Sequence, residues 1–186
     1  MKNLILASAS PRRKELLEEY GFEYEIVKSN FTEVTYSSPK KTVLSNALGK
    51  AKEVYSRLKN ENALVLGADT IVVFNKEILG KPKNEEDAFN MLKKLSGKAH
   101  QVITAYAFCY NKKTVVKSVK SKVVFNALTD EFIKEYISSG SPLDKAGAYG
   151  VQDNNGVVKK VKGSLNNVIG LPIEIFEKKL KKLLKK

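Results

Sequence analysis

The sequence predicts an α/β fold built on a mixed sheet. Three observations lead there. Strand-like and helix-like segments alternate through the first half, two long strand-like runs face each other across a short polar turn in the middle, and the chain ends in an amphipathic helical segment. Alternation favours parallel strands joined by helices, whereas the central pair can only be an antiparallel hairpin, so the sheet is mixed rather than purely parallel.

In chain order, Asn3–Ala7 is apolar and short enough to be a first strand. It resembles the start of an export signal, but runs at once into Ser8-Ala9-Ser10-Pro11-Arg12-Arg13-Lys14. A cytoplasmic location is therefore expected. Pro11–Tyr20 reads as a helix, with Ser10 at its N-cap and Pro11 in the first helical position. Phe22–Lys28 is a second strand and Thr42–Lys59 a long helix. Ala63–Phe74 is a long apolar stretch closed by a turn at Asn75-Lys76-Glu77. Asn84–Leu95 is a helix with Asn84 as N-cap and Glu85, Glu86 and Asp87 in the first turn, where acids complement the helix dipole. Gln101–Tyr110 and Thr114–Phe125 form the hairpin around Asn111-Lys112-Lys113. Thr129 caps a helix reaching Ser138, with Leu128 and Ile133 spaced as a hydrophobic staple. Val157–Val161 is a last strand. In the terminal helix Ile173, Phe176, Leu180, Leu183 and Leu184 share a face opposite the lysines.

Composition narrows the function. The 186 residues suit a single domain, or two small lobes sharing a core. No apolar run approaches the roughly 20 residues of a membrane span. One cysteine, Cys109, allows no intrachain disulfide, and its apolar neighbours mark it as a packing residue. One histidine, His100, and one cysteine cannot form a Cys/His zinc site. A metal, if bound, must be held by carboxylates, which suits magnesium or manganese. The formal charge of +13 is compatible with an anionic partner, although residues 178–186 supply six of those charges on one helix face. A docked terminal helix with a solvated basic face accounts for them without a partner. A nucleic-acid-binding regulator would also be basic, but no recognisable nucleic-acid module is present.

The chemistry concentrates in a few segments. Three cations at the start of the first helix oppose its dipole, an arrangement that suits a docked anion as well as a solvated basic turn. Asp69 stands between apolar runs in Val65-Leu66-Gly67-Ala68-Asp69-Thr70-Ile71, so its charge requires a metal, a catalytic role or a structural salt bridge. Gly67 and Ala68 are small enough for close approach. Pro82 stiffens the chain beside Lys81 in Gly80-Lys81-Pro82. Three long loops, 29–41, 79–84 and 140–156, break the pattern, and the last carries Asp144-Lys145-Ala146-Gly147-Ala148-Tyr149-Gly150-Val151-Gln152. GxxxxGK[ST], GxSxG, HExxH and GxGxxG are all missing, which argues against P-loop, serine hydrolase, zincin and dinucleotide-binding chemistry.

Taken in order, Leu4-Ile5-Leu6-Ala7-Ser8 through Leu17, Gly67-Ala68-Asp69-Thr70, Gly80-Lys81-Pro82, Leu95-Ser96-Gly97, Asp144 through Gly150, and Val168-Ile169-Gly170-Leu171-Pro172 resemble the Maf family of nucleoside triphosphate pyrophosphatases along nearly the whole chain. The resemblance implies an elongated, curved mixed sheet flanked by helices, with two lobes and a central cleft, as in inosine triphosphate pyrophosphatases. It also implies hydrolysis of the α–β phosphoanhydride, a divalent cation (Mg or Mn), a cytoplasmic homodimer, and a role in cleaning the nucleotide pool, in arresting cell division, or in both. By the same resemblance Asp69 activates water, Glu33 and Asp69 hold the metal, and Ser8, Arg12, Arg13, Lys50, Thr70, Lys81 and Gln152 bind substrate. Arg12, Thr70 and Gln152 match the branch that acts on dTTP and UTP rather than on 7-methyl-GTP, and ITP is the other non-standard substrate to be weighed. Two positions depart from the family pattern: Asp153 stands where glycine is common and Leu165 where an aromatic is common.

Overall fold

A computed structural model describes residues 2–153 and 156–185. Among the described residues seven strands form one mixed sheet: β1 (Asn3–Leu6), β2 (Glu25–Ile26), β3 (Ala63–Phe74), β4 (Glu77–Leu79), β5 (Ala99–Tyr110), β6 (Lys113–Phe125) and β7 (Val158–Lys162). Their order is β2-β1-β3-β5-β6-β7, with β4 paired to β3 off this path. β1 is parallel to both β2 and β3, whereas β3–β4 and β6–β7 are antiparallel. Six α-helices among the described residues accompany it: α1 (Pro11–Glu19), α2 (Pro39–Leu58), α3 (Glu85–Leu95), α4 (Asp130–Ser138), α5 (Leu165–Ile169) and α6 (Ile173–Leu184). The α/β class with a mixed sheet is as expected.

The chain divides into two compact units. One comprises the chain up to Asp69, Thr104–Val119 and the segment from Gly170 onward; the other comprises Thr70–Ile103 and Lys120–Ile169. The first unit buries Leu4 and Leu6 of β1, Leu16 and Leu17 of α1, Val43, Ala47, Ala51 and Val54 of α2, and Leu64 and Leu66 of β3. Here α6 docks as its periodicity predicts. Phe176 lies 4.5 Å from Tyr106 and 5.4 Å from Phe108, ring centre to ring centre, and Leu180 and Leu183 are buried beside it. Cys109 is buried in this unit as well, and burial pushes its thiol up to about 11, so it stays an unreactive packing group.

In the second unit Phe74, Leu92, Leu95, Val102, Phe125, Ile133, Tyr136 and Tyr149 belong to one apolar cluster. The caps of its helices are as the sequence predicts. Asn84 accepts from the Asp87 N–H at 2.8 Å, and Thr129 accepts from the Phe132 N–H at 3.2 Å. Leu128 and Ile133 join the same core. At the heart of the cluster His100 is 3% exposed, and its Nε2 is 2.8 Å from the Tyr149 hydroxyl.

Several boundaries differ from expectation. α2 begins at Pro39 rather than Thr42, because Ser38 caps it and Pro39 takes the first helical position. β2 is reduced to two residues. Asn75 and Lys76 both have positive φ, so they form the tight turn of a β3–β4 hairpin, and Glu77 belongs to a strand rather than to the turn. The same chemistry recurs at Asn111 and Lys112, which makes Lys113 the first residue of β6. α5 was not expected. The loop 140–156 holds three 3-10 turns, over Ser141–Asp144, Ala146–Ala148 and Val151–Asp153, while Asn154 and Asn155 lie outside the described residues. No helix among the described residues is long and apolar enough to cross a membrane.

Candidate active site

Asp69 sits near the middle of β3, 5% exposed, and its two carboxylate oxygens have separate partners from α2. Lys50 Nζ donates to Oδ1 at 2.9 Å, and Asn46 Nδ2 donates to Oδ2 at 3.1 Å. An ammonium and an amide thus offset the desolvation of the buried carboxylate. The same Lys50 Nζ lies 2.6 Å from Glu33 Oε1, so one cation bridges a buried acid and an exposed one.

The approach of α2 to β3 makes this possible, and Gly67 makes the approach possible. A Cβ at Gly67 would lie 2.4 Å from the Ala47 carbonyl oxygen and 2.8 Å from the Ala51 nitrogen. The small residues on both elements let Asn46 and Lys50 reach across to Asp69.

Glu33 is placed by the loop 29–38, which α2 holds along its length. Glu53 accepts from the Ser29 hydroxyl and the Asn30 N–H, both at 3.0 Å, Asn46 Oδ1 accepts from the Val34 N–H at 2.9 Å, and Thr42 Oγ1 accepts from the Tyr36 N–H at 2.9 Å. The Arg57 guanidinium, then the Asn30 N–H, hold the Glu53 carboxyl down to about 2, so it serves as an ionised anchor. Between these anchors the Phe31 ring fills the space over Gly49. Thr42, Asn46, Lys50 and Glu53 recur at helical spacing, so a single face of α2 orders the loop and holds Asp69.

Ser8 and Arg13 form the neighbouring part of the site. Both are buried, each 8% exposed. Arg13 donates through Nη1 to Ser8 Oγ and through Nε to the Gly170 carbonyl, both at 2.9 Å. Burial lowers the pKa of this guanidinium. The charge of Asp69 counters that most strongly, Arg12 adds to it, and Glu33 counters it again. Arg12, Arg13, Glu33 and Asp69 therefore share one electrostatic neighbourhood. Ser10 occupies the N-cap position of α1 as expected, but its hydroxyl makes no capping bond; instead its N–H donates to Ser8 Oγ at 3.3 Å.

Six of the expected site residues, Ser8, Arg12, Arg13, Glu33, Lys50 and Asp69, thus fall in the first unit. Thr70, Lys81 and Gln152 fall in the second. There the Gly147 N–H donates to the Gly80 carbonyl at 2.9 Å, which ties the Lys81 loop to the loop bearing Gln152. Lys81 and Gln152 are exposed, whereas Pro82 is buried. Sequence reasoning missed Asn46, although a polar residue beside the buried Ala47 on a helix was a readable signal. It also missed Thr42 and Glu53, whose partners lie in a loop with no pattern of its own.

Among the described residues no three or more His, Cys, Asp or Glu side chains gather as a ready-made metal site. The fit to a divalent cation rests on two carboxylates. Glu33 Oε1 and Asp69 Oδ1 converge on one cationic centre, now the Lys50 ammonium. Two hard oxygen donors of this kind suit magnesium or manganese, which commonly complete their coordination with substrate phosphate and water.

Comparison with known proteins identifies the family of the chain. The Maf family model, described as Maf-like protein, matches residues 3–183. The dTTP/UTP pyrophosphatase of Bacillus cereus (strain ATCC 10987 / NRS 248) is 48% identical over 184 residues, covering 97% of this chain and 90% of its own. The dTTP/UTP pyrophosphatase of Bacillus mycoides (strain KBAB4) is 47% identical, with 97% and 95% covered. Among solved structures, a HAM1 protein from Coxiella burnetii shares the fold at a TM-score of 0.53 and 14% identity, with 98% and 100% covered. The match over residues 3–183, joined to relatives nearly half identical along the whole length, establishes that this chain belongs to the Maf family.

Proposed function

We propose that the chain is a nucleoside triphosphate pyrophosphatase that hydrolyses dTTP and UTP to the nucleoside monophosphate and pyrophosphate. The observation that carries this reading is the buried Asp69 carboxylate, fixed by Asn46 and by a lysine shared with Glu33, in the electrostatic neighbourhood of buried Arg13. The reaction and the pyrimidine substrates come from family membership and from the names of the 47–48% identical relatives.

The residues divide the work as follows. Arg12, Arg13, Lys50 and the Ser8–Ser10 turn bind triphosphate oxygens, as cations and hydrogen-bond donors at a helix start are suited to do. Lys81 belongs to the same task by family resemblance. Asp69 orients a water and takes its proton as the water oxygen bonds to the α-phosphorus. The bond from that phosphorus to the α–β bridging oxygen breaks, and its electron pair leaves with pyrophosphate. Each Asp69 oxygen can accept a further hydrogen bond beside those from Lys50 and Asn46, so the carboxylate is held without being used up. Glu33 and Asp69 would hold the divalent cation, which would offset charge developing on the leaving group. Positioning and electrostatics carry most of the acceleration. Thr70 and Gln152 contribute to base choice; a glutamine amide both donates and accepts, as the edge of uracil or thymine requires. A homodimer and a cytoplasmic location complete the reading, tested by sedimentation of the purified protein and by cell fractionation.

The test is pyrophosphate release from dTTP, UTP, CTP, ITP, GTP and 7-methyl-GTP, with and without added magnesium or manganese. Metal-dependent release that favours dTTP and UTP is expected. Preference for another base would retain the reaction and discard the roles of Arg12, Thr70 and Gln152. No release from any nucleotide would overturn the proposal.

A further inference from the structure

Gln152 is exposed and sits at the centre of a three-residue 3-10 turn, Val151–Asp153. An exposed amide on a surface turn has many orientations, and ordering it on binding costs affinity. The turn is held from both sides by a single phenol. Tyr136 of α4, 7% exposed, accepts from the Gly150 N–H at 3.0 Å and donates to Asp153 Oδ2. The residues flanking Val151 and Gln152 are thus tied to one oxygen on a helix packed into the core. Ser141 Oγ donates to the same Asp153 oxygen at 2.8 Å. Lys145 Nζ stands 3.8 Å from that oxygen, and donates to the Ser141 hydroxyl at 2.7 Å and to Asp144 at 3.0 Å. The Asp153 N–H closes the turn onto the Gly150 carbonyl at 3.3 Å. Packing is close enough that a Cβ on Gly150 would lie 2.5 Å from Asp153 Oδ1 and 2.7 Å from Lys145 Cε.

Two hydroxyls donating to one carboxylate, one of them buried, with an ammonium 3.8 Å away, amount to more than closing a surface loop requires. We propose that Asp153 is a positioning residue: together with Tyr136 it fixes the turn so that the Gln152 amide is presented in one orientation to the pyrimidine edge. This inference rests on the base-reading role proposed above for Gln152. Asp153 itself touches no reacting atom. Its effect falls on substrate recognition and not on the chemical step.

The experiment measures kcat and KM for dTTP, UTP and ITP with wild type, Gln152→Ala, Asp153→Ala, Asp153→Asn, Tyr136→Phe and the Gln152→Ala/Asp153→Ala double variant. Asp153→Ala should raise KM for dTTP and UTP by about tenfold with kcat within about twofold, and should move the dTTP-to-ITP preference toward that of Gln152→Ala. Tyr136→Phe keeps the ring in the core, loses the hydroxyl and should shift the same way, which preserves the test if Asp153→Ala fails to fold. Asp153→Asn still accepts from Tyr136 and Ser141, so it should stay near wild type. The double variant should be no worse than Gln152→Ala, because a residue that acts through Gln152 has nothing left to act on. Additive losses, or an Asp153→Ala enzyme with wild-type KM and base preference, would overturn the inference alone. If Gln152→Ala itself left KM and base preference unchanged, the base-reading role would fall and this inference with it, while the pyrophosphatase reaction would stand on the wild-type assay.

Discussion

Replacing Gly67 with alanine tests whether the close approach of α2 to β3 assembles the active site. The new Cβ would lie 2.4 Å from the Ala47 carbonyl oxygen, 2.8 Å from the Ala51 nitrogen and 3.0 Å from the Ala51 Cβ. Two of those three atoms are helix backbone, so no rotamer change relieves the clash and α2 must retreat by about 1 Å to restore ordinary contact. Asn46 and Lys50 retreat with it, and their bonds to Asp69, now 3.1 and 2.9 Å, pass beyond hydrogen-bonding range. Overpacking of this kind costs about 1–3 kcal/mol of stability. A misplacement of about 1 Å in a catalytic group lowers turnover by roughly 100-fold. Urea unfolding followed by circular dichroism, and pyrophosphate release from dTTP, measure the two losses. A Gly67→Ala protein within about 0.5 kcal/mol of wild-type stability and within about twofold of its activity would refute the reasoning.

Gly49→Ala is the contrasting case. Its Cβ would meet the Phe31 ring at 2.3 Å, a side-chain tip that can swing aside, so the same urea titration should show less than about 1 kcal/mol lost. Asp69→Asn should keep the fold by circular dichroism and lower turnover at least about 1,000-fold, since the amide can neither take the water proton nor hold the cation as well. Arg13→Lys should raise KM for dTTP about tenfold or more, because an ammonium cannot reproduce the fork that spans Ser8 Oγ and the Gly170 carbonyl. His100 links stability to pH. Burial lowers its pKa from 6.5 to about 4, so the unfolded chain binds the extra proton first as pH falls. Its contribution is complete above about pH 6.5 and is lost as pH drops toward about 4, on the order of 3–4 kcal/mol at roughly 1.4 kcal/mol per pH unit. Urea titrations at several pH values should show a flatter acid limb for His100→Leu than for wild type, although that variant is weaker at every pH.

What could be read from the sequence was what local chemistry enforces. Asn84 and Thr129 cap their helices because a side-chain oxygen satisfies a backbone donor three residues away, a relation contained within one stretch. The β3–β4 hairpin escaped because β4 is only Glu77–Leu79, too short to show a strand pattern, whereas the same Asn-Lys turn was readable at Asn111-Lys112 between two long strands. The loop 29–38 looked patternless because its order is lent by α2, through Thr42, Asn46 and Glu53. The same division runs through the site. Asp69 declared itself, since a charge between two apolar runs demands a partner. The partners are on a helix that ends before β3 begins, and nothing local to Asp69 names them. Helical periodicity puts Thr42, Asn46 and Lys50 on one face, but cannot say which strand that face meets. Gly67 resolves it: a glycine two residues before a buried acid, on a strand, marks where another backbone comes close, and the adjacent polar residues of whichever helix approaches there must be those that hold the acid. Helix periodicity, the buried charge and the glycine together specify a contact that none of them specifies alone.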